Sequence, residues 1–171
     1  MTSSSSQPPD PDVPAYAGSA DVGVRSSVPA GDPMAGDAAG LLRAEYGKLY
    51  DLYGDIVALL DAARFDEIRQ RWFGVVRETL EFEAAVQRVV LPEVPDAASS
   101  LPDGTEPAAL LDWLRAYDEL NPDLEPDEVR TTATTTVEAL EAQDRVLVPA
   151  VDALAPDLRD RLGEDLRQVM G

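Results

Sequence analysis

Residues 41–60 read LLRAEYGKLYDLYGDIVALL, and the spacing of their apolar members decides the fold class. Leu42, Tyr46, Leu49, Tyr53, Ile56 and Leu60 are separated alternately by four and three residues, the repeat that lines one face of an α-helix. The pattern predicts a first helix from about Asp37 to Ala63. Beyond it, Ile68, Trp72, Val75, Thr79, Phe82, Val86 and Val89 hold the same spacing through one polar member. Only a short turn near Arg64 to Asp66 separates the two stripes, and so short a connection implies antiparallel neighbours. Pro92 to Gly104, with Pro95, Ser99, Ser100, Pro102 and Asp103, reads as a loop. Thr105, Glu106 and Pro107 then open a shorter helix through Leu110, Trp113, Leu114, Tyr117 and Leu120.

After a break at Asn121 to Pro126, a fourth stripe runs through Val129, Ala133, Thr136, Leu140, Gln143, Leu147 and Ala150. Its middle holds Thr131, Thr132, Thr134, Thr135 and Thr136, β-branched residues that tertiary packing must hold helical. Pro156 starts a final turn or short helix, whose Leu158, Leu162, Leu166 and Val169 would pack across the others. Working toward the N-terminus, residues 1–36 are rich in Ser, Pro, Gly, Ala and Asp without a sustained apolar period, and read as a disordered tail. Val22, Val24 and Val28 mark its one segment suited to tethering or partner binding. The expectation is an all-α chain: a tail at 1–36, then a helical bundle domain at 37–171.

Composition limits the chemistry. Thirty-three acidic residues against fourteen basic give a net charge of −19, which repels nucleic-acid backbones and anionic membrane surfaces. With no cysteine and no histidine, disulfides, thiolate ligands, a cysteine nucleophile, the usual general base and the commonest metal ligand are all absent. No G-x-S-x-G and no Gly-rich phosphate loop occurs. Met1 to Pro14 lacks the basic and apolar regions of a secretory signal, so a cytoplasmic location is expected.

Two segments resemble each other. Phe82 to Pro92 reads FEAAVQRVVLP and Ala139 to Pro149 reads ALEAQDRVLVP, each closing a long helix before proline. Together with LLRAEYGKLYDLY they resemble the hemerythrin-like (HHE) family. The resemblance implies an antiparallel four-helix bundle of two helical hairpins over residues 37 to 155, followed here by a short C-terminal helix. In that family a histidine, a glutamate four residues later and an apolar run to proline supply a diiron site. Aligned on the prolines, the histidine positions of this chain hold Tyr46, Phe82 and Ala139, and the glutamate positions hold Val86 and Gln143. The diiron chemistry is therefore not carried over, and the five residues are expected as core packing, with no metal or cofactor.

Glu45, Glu81 and Glu83 flank these positions and are read as solvated, ahead of an all-oxygen magnesium or calcium site. Tyr46, Tyr50 and Tyr53 are expected as half-buried aromatics with hydroxyls reaching solvent or a carbonyl. The leading functional expectation is a non-catalytic protein that binds another protein as adaptor, regulator or subunit. A small-molecule binder, with a pocket among Tyr46, Tyr50, Trp72 and Phe82, comes second. An atypical carboxylate and tyrosine metal site comes third.

Overall fold

A carboxylate starts the first helix. Asp37 has an extended backbone and accepts the Gly40 N–H at 2.8 Å, satisfying one of the unpaired amides at the start of α1, Ala38–Asp61. The computed structural model describes residues 37–120 and 125–171, with the side chains of 117–120 outside the description. The readings of the tail, of Val22, Val24 and Val28, of Asn121 to Leu124 and of the Tyr117 and Leu120 side chains fall outside the described residues.

α1 ends in a tight reversal. Ala63 adopts φ of 53°, while Arg64 N–H reaches Leu59 O at 3.0 Å and Ala63 N–H reaches Leu60 O at 3.1 Å. This is the Schellman arrangement, whose left-handed residue is usually glycine because a Cβ there meets the backbone. Ala63→Gly is expected to stabilise the protein by about 0.5–1 kcal/mol, read as a rise in the denaturant midpoint at constant slope. A lower midpoint would place Ala63 in another conformation.

α2 follows as Phe65–Ala85 and continues through a π-helical turn, Val86–Val90, into a 3-10 turn, Leu91–Glu93. Pro92 has no N–H to continue the α-helical ladder, and Leu91 N–H bonds Val86 O, one residue further back than in an α-helix. The expected loop at Pro92 to Gly104 contains a helical turn, α3, Pro95–Ala98, and sends Val94 and Leu101 into the core. Pro95 is the first residue of that turn, where its missing N–H costs nothing.

α4 is Pro107–Leu120, α5 is Pro126–Asp152 and α6 is Pro156–Met170, each opening on proline. The expectation that Pro149 ends its helix is corrected, since α5 runs one turn further. Val148 and Val151 are buried, and their packing holds that turn. The final segment is a full helix of 15 residues with Leu162 and Leu166 buried.

Among the described residues the protein is all-α, with no strand and no helix long and apolar enough to cross a membrane. α1 packs against α2, α5 and α6, while α4 packs on α2 and α3 on α5. One charged clasp ties three helix ends together: the Arg159 guanidinium lies 3.9 Å from Asp37 and 3.0 Å from Asp152 Oδ1, and also donates to the Asp152 carbonyl at 3.0 Å. Thr132 and Thr136 of the threonine run are buried, and Thr131 Oγ1 donates back to Asp127 O at 2.9 Å, so packing and local bonds offset their modest helix propensity.

Candidate functional site

Helical spacing brings a polar residue from each of α1, α2 and α5 to one buried point. The Tyr46 hydroxyl donates to Gln143 Oε1 at 3.1 Å, and Gln143 Nε2 donates to Glu83 Oε2 at 3.0 Å and to the Thr105 carbonyl at 2.8 Å. Tyr46, Glu83 and Gln143 are all fully buried. Gln143 uses both amide hydrogens and its oxygen, and so binds α1, α2 and the approach to α4 to α5 at once.

Nearby, the Tyr53 hydroxyl lies 3.0 Å from Thr79 Oγ1, which donates to Val75 O at 2.9 Å. Tyr50 OH donates to Asp144 at 3.3 Å at the edge of the core. Phe82 sets its ring edge-on to Tyr46 at 4.9 Å, and Tyr53 does the same with Trp72 at 6.2 Å.

Two expectations are corrected. Glu83 is not solvated: it is fully buried, while Glu81 is exposed and Glu45 half-buried beside Lys48. The sequence carried the signal, because Glu83 follows Thr79 by four residues and Val76 by seven, both of them buried. Tyr46 and Tyr53 are likewise fully buried, not half-buried; the Tyr46 hydroxyl does reach a carbonyl oxygen, that of the Gln143 amide, while the Tyr53 hydroxyl meets Thr79. The five residues at the resemblance's ligand positions, Tyr46, Phe82, Val86, Ala139 and Gln143, are all buried.

Burial pushes the Glu83 carboxyl up to about 8, against the opposing Gln143 hydrogen bond. Its Oε1 has no hydrogen-bond partner, which suits a neutral acid and would be costly for a carboxylate. Burial, and then the charges of Glu83 and Asp144, raise Tyr46 well above the usual phenol range. Burial raises Tyr53 to about 12, against hydrogen bonds from Thr79 and Thr136. Near neutral pH these groups are uncharged, and the arrangement acts as a clamp between helices.

The donor set does not fit a diiron centre. Such a site needs several carboxylates with histidines, whereas here one neutral acid is surrounded by a phenol, an amide, a phenyl ring and valine. No group of three or more His, Cys, Asp or Glu able to hold a metal occurs among the described residues.

The protein's other distinctive feature faces outward. Phe65 and Phe73 of α2 are the large hydrophobic side chains that stand exposed among the described residues, at 45% and 49%. Arg69 lies between them and Arg77 follows, both exposed, so the four residues form one ridge at spacings of four. Sequence reading passed over both phenylalanines, because Phe65 falls in the turn expected at Arg64 to Asp66 and the periodic stripe runs through Ile68, Trp72 and Val75. Phe73 is one residue past Trp72, about 100° around the helix.

Against known proteins, no family model, no curated protein and no solved structure matches this chain.

Proposed function

We propose that the chain is a non-catalytic, metal-free, hemerythrin-like bundle that acts by binding another protein, as an adaptor, regulator or subunit. The observation that carries this reading is the exposed pair Phe65 and Phe73, aromatic surface at the start of α2 and along the flank of its buried face. Large exposed aromatics are favoured at interfaces, where they bury much area at little conformational cost.

The pairings support antiparallel packing of α1 against both α2 and α5, an arrangement such a bundle requires. Between α1 and α2, Lys48 meets Glu78 and Asp55 meets Arg71; between α1 and α5, Arg43 meets Asp152, Tyr46 meets Gln143 and Asp61 meets Arg130. In both sets residue numbers rise on one helix as they fall on the other, as antiparallel neighbours require. The small-molecule reading draws less support. Tyr46 and Phe82, proposed as pocket walls, pack directly on each other at 4.9 Å.

The test is affinity purification of the full-length protein from its own cells, beside a Phe65→Ser, Phe73→Ser double variant of unchanged melting temperature. The wild type is expected to retain a near-stoichiometric protein that the variant loses. Recovery of the wild type alone under gentle conditions, or equal retention by the variant, would remove the basis of the reading.

A further inference from the structure

The ridge on α2 has a charge opposite to that of the rest of the chain. Residues 64–77 hold four arginines, Arg64, Arg69, Arg71 and Arg77, against the acids Asp66 and Glu67, a local charge of +2 in a protein of −19. Two of these arginines lie off the i+4 row and face acids, Arg64 facing Glu67 and Arg71 facing Asp55. Arg69 has no ion pair among the described residues. Arg77 lies 3.7 Å from Glu81, with both side chains more than two thirds exposed, an ion pair too solvated to hold it. The two available cations thus lie on the same ridge as the two exposed phenylalanines.

Geometry narrows the partner further. Phe65, Arg69, Phe73 and Arg77 form an i+4 row, the row that interdigitates with a second helix in the commonest packing class. Arg69 and Arg77 are about 12 Å apart along the axis, the rise of eight helical residues. Beside the Phe65 end lies a groove of about 210 Å3 lined by Leu60, Phe65, Ile68, Arg69, Pro126 and Val129, with Glu125 also at its wall. It has room for an apolar side chain next to Phe65.

We propose that this ridge receives an acidic amphipathic helix of a partner protein. Its apolar residues cover Phe65 and Phe73 and enter the groove, and two carboxylates seven or eight residues apart pair with Arg69 and Arg77. The inference rests on the partner-binding reading above and specifies the partner's chemistry. Charge complementarity selects this occupant over a second copy of the chain, because two copies of charge −19 repel.

The experiment titrates the full-length protein into two fluorescein-labelled, Ala-based helical peptides read by anisotropy. Both carry leucines on one face, flanked in one peptide by glutamates eight residues apart and in the other by lysines at the same places. The glutamate peptide is expected to saturate, and the lysine peptide not to. Arg69→Glu should weaken binding at least tenfold, Phe73→Ser should do the same, and raising salt from 0.05 to 0.5 M should weaken it several-fold. Arg145→Glu, on the exposed side of α5, should leave it unchanged.

Failure of the glutamate peptide to bind, equal binding of the lysine peptide, or indifference to Arg69→Glu would overturn the proposal. A sedimentation mass of two chains that Phe73→Ser returns to one would make the occupant a second copy, and backbone resonances at 22–28 that shift on the same substitution would make it the chain's own tail. Either outcome also overturns it. If the glutamate peptide fails while a cellular partner is still lost with Phe65 and Phe73, only the acidic chemistry falls. If capture ignores both phenylalanines, the partner-binding reading of this face falls as well.

Discussion

Glu83→Gln is expected to flatten the protein's loss of stability between pH 5 and pH 8. The Glu83 carboxyl is raised from 4.5 to about 8 by burial, so the fold favours its neutral form. Below pH 4.5 the acid is neutral in both the folded and unfolded chain, and its contribution to stability is fully present. Between 4.5 and about 8 the unfolded chain ionises while the folded chain holds its proton, so stability falls by about 1.4 kcal/mol per pH unit. The full loss, on the order of 5 kcal/mol, is reached once pH passes the folded value.

Glutamine is nearly isosteric with the neutral acid and keeps an oxygen for the Gln143 amide, and it cannot ionise. Urea melts of wild type and variant at pH 5, 6.5 and 8 should therefore coincide near pH 5 and diverge upward, the variant more stable at pH 8. Other carboxylates affect both proteins alike, so the difference between the curves isolates Glu83. Parallel curves would mean that Glu83 titrates as a solvated carboxylate and is not buried at Gln143.

Phe82→Ala is expected to cost about 3–5 kcal/mol, the usual penalty for emptying an aromatic core position, and to lower the melting temperature by roughly 10 °C or more. The ring is 3% exposed and set edge-on to Tyr46, the first member of the buried polar chain, so its loss opens a cavity beside the clamp. Phe73→Ala is the control on the same helix: half-exposed, it should change stability by about 0.5 kcal/mol or less. A loss below about 1 kcal/mol for Phe82→Ala would place the ring in an open groove, as a small-molecule pocket requires.

Much of the helical layout was legible because a helix buries its own periodicity. The stripes at Leu42 to Leu60, at Ile68 to Val86 and at Val129 to Leu147 are buried throughout, and α4, α5 and α6 open on the prolines that mark them. The Pro92 and Pro149 endings looked alike in sequence and differ in the fold. Proline removes one hydrogen bond in both, but what replaces it depends on neighbours: a π turn and a 3-10 turn after Val86, a continued α-helix packed through Val151 after Leu147.

The candidate site was less legible for a related reason. A stripe records which side of a helix is apolar, whereas the width of the buried sector depends on how many helices surround it. α2 has α1, α4 and α6 against it, so its buried sector extends past the stripe to Val76 and Glu83. Glu83 lies about 20° around the helix from Trp72, inside that sector, although its charge argued for solvent. Phe73 lies about 100° from Trp72, outside it, although its ring argued for the core. The helices, the absence of histidine and cysteine, and the acidic balance were readable from residue order, because these follow from local periodicity and composition. That Glu83 is inside and the two phenylalanines outside emerges only when the helices pack, because burial is set by the neighbours that close around a helix.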